Sequence, residues 1–112
     1  MSSAQNVLEL DDNNFGDVVS ASSVPVLVDF TAAWCGPCRA IAPHIAAVAD
    51  KYVDRLRVAK CDVDANQALT ARFDVRAMPT LLMFKDGQVV GQIVGAVPRH
   101  KIESLVEAAL PV

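Results

Sequence analysis

With 112 residues, 53 % of them hydrophobic, the chain has the size and apolar content of one ordinary domain with a buried core, which excludes a disordered chain. A net charge of −3 leaves no basic face for general nucleic-acid binding, and no apolar run approaches the roughly 20 residues of a membrane span. Residues 1–6 carry neither a basic segment nor an apolar stretch, so no signal peptide is expected and the simplest reading is an unprocessed cytoplasmic protein.

No repeat, low-complexity tract or linker interrupts residues 1–112, which read as a single domain. Residues 7–10 form a short strand candidate. Asp11-Asp12-Asn13-Asn14 then offers N-cap chemistry for a helix carrying Phe15, Val18 and Val19. Residues 24–30 are nearly all apolar and β-branched, with Pro25 near the start, as befits a central strand covered on both faces. Asp29 is the one acidic residue in that run.

Trp34-Cys35-Gly36-Pro37-Cys38 follows directly. Two thiols separated by two residues can close a small disulfide ring, store two electrons and release them by thiol–disulfide exchange. With one other cysteine in the chain, Cys61, the pattern reads as redox chemistry rather than a disulfide framework. Gly36-Pro37 stiffens the loop and starts a helix, since proline suits a helix's first turn. Cys35 is thereby expected at the helix N-terminus, where free amide N–H groups and the dipole stabilise a thiolate. A structural disulfide or half a zinc site is the alternative. Zinc needs four ligands, and Cys61, His44 and His100 lack the spacing of a second knuckle.

The helix continues with Ile41, Ile45, Val48 and Tyr52 on one stripe, and Pro43 should kink it. Residues 56–63 are a third strand candidate and 66–73 a short helix. Residues 80–84 and 88–94 flank Lys85-Asp86-Gly87, a hairpin turn, and a last helix lines up Ile102, Leu105, Val106 and Ala109. The order β-α-β-α-β-α-β-β-α implies an α/β fold with parallel strands early and an antiparallel hairpin late. The Cys35 loop then lies at the carboxyl end of a central strand, where open α/β sheets place their sites.

These features resemble the thioredoxin family over essentially the full chain. The pentapeptide is the family's active-site sequence, and Asp29, Pro43, Lys60, Met78-Pro79-Thr80 and Val94-Gly95-Ala96 match at a distance. The resemblance implies a thioredoxin fold, a central mixed five-stranded sheet flanked by four helices, with Pro79 in the cis form beside the sulfurs. It implies a protein-disulfide reductase. Cys35, exposed at the helix start, would attack as thiolate; Cys38, deeper in the helix, would resolve the mixed disulfide. Asp29 would accept the Cys38 proton, with Lys60 moderating its burial. Trp34, Gly36, Pro37, Met78, Pro79, Gly95 and Ala96 would form the substrate-binding surface.

No cofactor is expected beyond the redox disulfide itself, with NADPH acting only through a reductase. The implied partners are thioredoxin reductase and disulfide-containing proteins, with no nucleic acid or membrane, and the protein is expected to be a monomer. One departure from the family is Thr31, where many members carry tryptophan, which bears on loop rigidity. Cys61 reads as an inert buried thiol, His44 and His100 as surface or packing residues, and Asp11, Asp12, Asp62 and Asp64 as caps and solvated charge. An oxidant or isomerase and a binding module without redox turnover are the competing functions. Gly36-Pro37 resembles reductants, and the intact Cys35, Cys38 and Asp29 make binding an added role.

Overall fold

The computed structural model describes residues 3–111. Five strands form one sheet in the order β1-β3-β2-β4-β5: β1 (Val7–Glu9), β2 (Val26–Thr31), β3 (Arg57–Asp62), β4 (Thr80–Lys85) and β5 (Gln88–Val94). β1, β3 and β2 are mutually parallel, and β4 and β5 run antiparallel to them. Helices α1 (Gly36–Lys51), α2 (Gln67–Arg72) and α3 (Arg99–Ala109), with a π-helix at Gly16–Ser20, cover the sheet, and a 3-10 turn spans Ser3–Asn6. This is the expected mixed five-stranded sheet flanked by four helices.

The central position of β2 follows from its composition. Val26, Leu27, Val28 and Phe30 are all essentially inaccessible, so both faces of the strand need cover. On one face Leu27, Val58, Leu81 and Met83 pack under Ile41, Ile45 and Val48 of α1 and Ile102 and Val106 of α3. On the other, Val28, Phe30, Cys61, Leu82 and Phe84 meet Phe15 and Val19 from the π-helix region and Leu69 of α2. Phe15, Phe73 and Phe84 form an aromatic cluster there, with Phe73 edge-on to Phe84 at 5.2 Å between centroids.

One local expectation is revised. The segment after Asp11–Asn14 makes only the short π-helix, because the polar run is committed elsewhere. Asn14 Oδ1 accepts the Asp11 N–H and its Nδ2 donates to the Glu9 carbonyl. The Asp12 carboxylate accepts the backbone N–H groups of Leu69 and Ala68, capping α2 from 56 residues away in place of its own helix. Helix α1 is continuous from Gly36 to Lys51 with Pro43 inside it. The hairpin turn is Asp86-Gly87, both at positive φ (54° and 78°), the conformation that favours an Asp-Gly pair in a two-residue β-turn.

Strand pairing also gathers three distant segments at one end of the sheet. Phe30 pairs with Thr80, and Thr80 pairs with Val94. The chain leaving β2 toward Trp34, the chain entering β4 through Met78-Pro79 and the chain leaving β5 through Gly95-Ala96 therefore meet there.

Candidate active site

Cys35 is the N-cap of α1, with extended backbone (φ −92°, ψ 110°), and Gly36 and Pro37 make the first turn. Its Sγ accepts the backbone N–H of Cys38 at 3.2 Å. The sulfur thus takes the place a Ser or Asp oxygen would hold in an ordinary cap, and in the reduced protein that N–H and the helix dipole favour the thiolate. Cys35 and Cys38 are joined by a disulfide, with their Cα atoms 5.3 Å apart.

The contrast in exposure expected between the two cysteines is absent in this oxidised form. Cys35 is 4 % exposed and Cys38 3 %, and both belong to the apolar cluster that Met78 also packs against. The reason is local: the Cys35 sulfur is turned inward by its bond to Cys38 and by the cap. What stands out to solvent is the neighbouring Trp34, 63 % exposed, with Gly36 and Pro37 also exposed.

Pro79 is buried and follows a cis peptide bond from Met78. Its carbonyl accepts the Gly95 N–H at 2.8 Å, and Gly95 takes φ +94°, a conformation open to glycine and strained for other residues. Met78 and Gly95 are half-buried and Ala96 is exposed. The structure therefore brings the three sequence-predicted surface segments to one edge of the disulfide loop.

Asp29 lies in β2 on the face that α1 covers. It is 5 % exposed, and its Oδ1 has no hydrogen-bond partner. Burial pushes its carboxyl up from an ordinary 3.8 to about 7, against a downward pull from the Lys60 charge. Lys60 is the register partner of Asp29 across β2 and β3, yet its ammonium pairs with Glu9, Nζ to Oε1 3.5 Å. Asp29, Thr31, Cys38, Arg39 and Lys60 line a cleft of about 600 Å³. The threonine at position 31 is half-buried on its wall.

Sequence reasoning missed three participants. Asp64 Oδ2 accepts the Trp34 indole N–H at 2.8 Å; Arg39 donates to the Ala33 carbonyl at 2.8 Å, bracing the loop; and Glu9 holds Lys60. Only strand register could have pointed to Asp64, since Thr31 pairs with Asp62 and the two loops that follow run side by side. Cys61 is fully buried, and burial, reinforced by the charges of Asp12, Asp62, Asp11 and Glu9, pushes its thiol up to about 12. Among the described residues no group of three or more His, Cys, Asp or Glu side chains is placed to hold a metal ion.

Comparison with known proteins agrees with this geometry. The thioredoxin family model matches residues 6–108. The chain is 44 % identical over 100 residues to a thioredoxin of Haemophilus influenzae, covering 89 % of this chain and 94 % of that protein. It is 43 % identical over 99 residues to thioredoxin 1 of Synechococcus elongatus, covering 88 % and 92 %. A chloroplastic M-type thioredoxin of Chlamydomonas reinhardtii is 44 % identical over 101 residues, covering 90 % of this chain and 72 % of that one. By its fold, its paired cysteines and these relatives, the chain belongs to the thioredoxin family and is a dithiol–disulfide oxidoreductase.

Proposed function

We propose that the protein is a general reductant of protein disulfides in the cytoplasm, working as a single-domain monomer recharged by a thioredoxin reductase. The observation that carries this reading is the Cys35 sulfur in the N-cap position of α1, bonded to a cysteine one turn further in. The cycle needs no cofactor beyond these two sulfurs. In the reduced protein the Cys35 thiolate attacks one sulfur of a substrate disulfide, forming a mixed disulfide and expelling the other sulfur as thiolate. Cys38 then loses its proton and attacks Cys35 Sγ. The Cys35–Cys38 bond closes, and the second substrate sulfur leaves as thiolate, so two electrons have passed to the substrate.

Asp29 is the proposed acceptor of the Cys38 proton. It lines the same cleft as Cys38, its free Oδ1 has room for a proton or a bridging water, and a carboxyl near 7 is matched to work at neutral pH. Lys60 acts on it through charge. Trp34, Gly36, Pro37, Met78, Pro79, Gly95 and Ala96 are proposed to receive an extended substrate segment, the exposed indole supplying contact area. The test is reduction of insulin disulfides by the purified protein with a thioredoxin reductase and NADPH. Turnover dependent on Cys35 is the expected result. A protein that binds disulfide substrates without turning over belongs instead to the binding-module class.

A further inference from the structure

Glu9, Lys60 and Asp29 occupy one row of the sheet. Glu9 is the register partner of Lys60 across β1 and β3, and Lys60 is the partner of Asp29 across β3 and β2. The preceding row on the same face is Val7, Val58 and Leu27, all packed in the apolar cluster under α1. Within one step the face changes from hydrocarbon to charge, and the cleft beside Cys38 opens at that step.

The single ammonium in this row stands between two carboxyl groups and is held by the outer one. Lys60 Nζ lies 3.5 Å from Glu9 Oε1, while Asp29 keeps an unpartnered oxygen. We propose that Glu9 is a positioning residue for proton transfer: by drawing the Lys60 ammonium to the outer end of the row, it leaves the inner carboxyl of Asp29 unpaired and free to take the Cys38 proton. The proposal rests on the reading of Asp29 as the acceptor of the Cys38 proton.

The other charged groups around the cleft are committed locally. Asp11, following β1, accepts the Asn13 N–H, and Asp62 of β3 accepts the Asp64 N–H. From α1, Arg39 is bound to the Ala33 carbonyl and Cys38 to Cys35. On the remaining side β4 places Leu81 against Asp29. Lys60 is the charge that acts on the Asp29 carboxyl, and Glu9 is its ion-pair partner. Both partners are substantially exposed, so the pair's effect is on titration rather than stability and weakens with salt.

The test follows the Asp29 titration by carboxyl-carbon NMR at low salt. Glu9→Gln removes a negative charge and releases the ammonium; both favour ionised Asp29, so its midpoint should fall by about 0.3 to 0.6 of a pH unit. Glu9→Asp should recover part of the shift. In a Lys60→Met background the same substitution should act less than half as strongly, because only the direct effect across two strand spacings, about 9 to 10 Å, remains. An unmoved midpoint, or an equal shift with and without Lys60, overturns the proposal. The pH profile of mixed-disulfide resolution should move with the midpoint and lose this dependence in Asp29→Asn. A profile sensitive to Asp29→Asn but not to Glu9→Gln overturns the part given to Glu9 alone. One indifferent to Asp29→Asn removes Asp29 from the mechanism, and the proposal with it.

Discussion

The indole N–H of Trp34 donates to Asp64 Oδ2 at 2.8 Å, which pins the ring next to Cys35 to the loop that follows β3. The side chain nevertheless remains 63 % exposed. An anchored yet uncovered aromatic ring presents contact area with little rotamer freedom left to lose, which suits the substrate contact proposed for it.

Because Trp34 is the sole tryptophan of the chain, all indole emission reports on this loop. A disulfide quenches a neighbouring indole by contact, so emission should rise when Cys35–Cys38 is reduced. Titration against a dithiothreitol or glutathione couple would then give the reduction potential. The change should be absent in Cys38→Ser. A signal indifferent to reductant in the native protein would mean that the ring does not sense the sulfurs.

The two cysteines should fail in different ways when replaced. Cys35→Ser removes the thiol at the helix start and should abolish disulfide reduction. Cys38→Ser should still attack but not resolve, so mixed disulfides should accumulate and be captured on a thiol-reactive column. Identical behaviour of the two variants would overturn the assignment of attacking and resolving roles.

Asp29 should make stability depend on pH. With its carboxyl pushed up to about 7 in the folded chain, stability is full below about pH 4, where Asp29 is protonated folded or unfolded. It declines as pH rises from there to about 7, since the unfolded chain ionises first, and is level above; the total is on the order of 4 kcal/mol. Asp29→Asn removes this slope. The variant should therefore be more stable than the native protein at pH 8 by an amount of that order, and equal to it near pH 4, by denaturant midpoints. It should also resolve mixed disulfides more slowly near neutral pH.

Cys61 should resist alkylation in the folded protein. It has no exposed surface and a thiol pushed up to about 12, so it presents neither access nor thiolate. Labelling should track global unfolding. Rapid labelling at neutral pH, or a disulfide-linked dimer that Cys61→Ser prevents, would mark it as a regulatory thiol.

The parts of this molecule that were legible in the sequence are those governed by local chemistry. A buried β-branched run announced β2, an Asp-Gly pair announced the hairpin, and Gly36-Pro37 announced the start of α1. The spacing of Cys35 and Cys38 announced the site. What stayed hidden depends on residues that meet only through the fold. Asp12 looked like the cap of its own helix because nothing in its neighbourhood shows that Leu69 and Ala68 will claim its carboxylate. Asp64 looked like solvated charge, and Lys60 looked like the partner of Asp29, until the register of three strands placed Glu9 beside it. The burial of Cys35 was hidden because its sulfur is bonded to Cys38 and set in the helix cap, among apolar residues brought in by the fold.

The Asp12 cap has a consequence for the order in which the chain assembles. At six residues α2 is too short to persist in water alone, and its own N-cap, Asn66, makes no side-chain cap bond. Its first-turn amides wait instead for a carboxylate delivered from the opening segment of the chain. That junction closes a loop of more than fifty residues, so its entropy must be met before the helix gains anything from it. Helix α2 should therefore condense late, after β1 has docked on β3. The Leu69 amide should then report in hydrogen exchange whether the N-terminal segment is seated, and Asp12→Ala should speed its exchange.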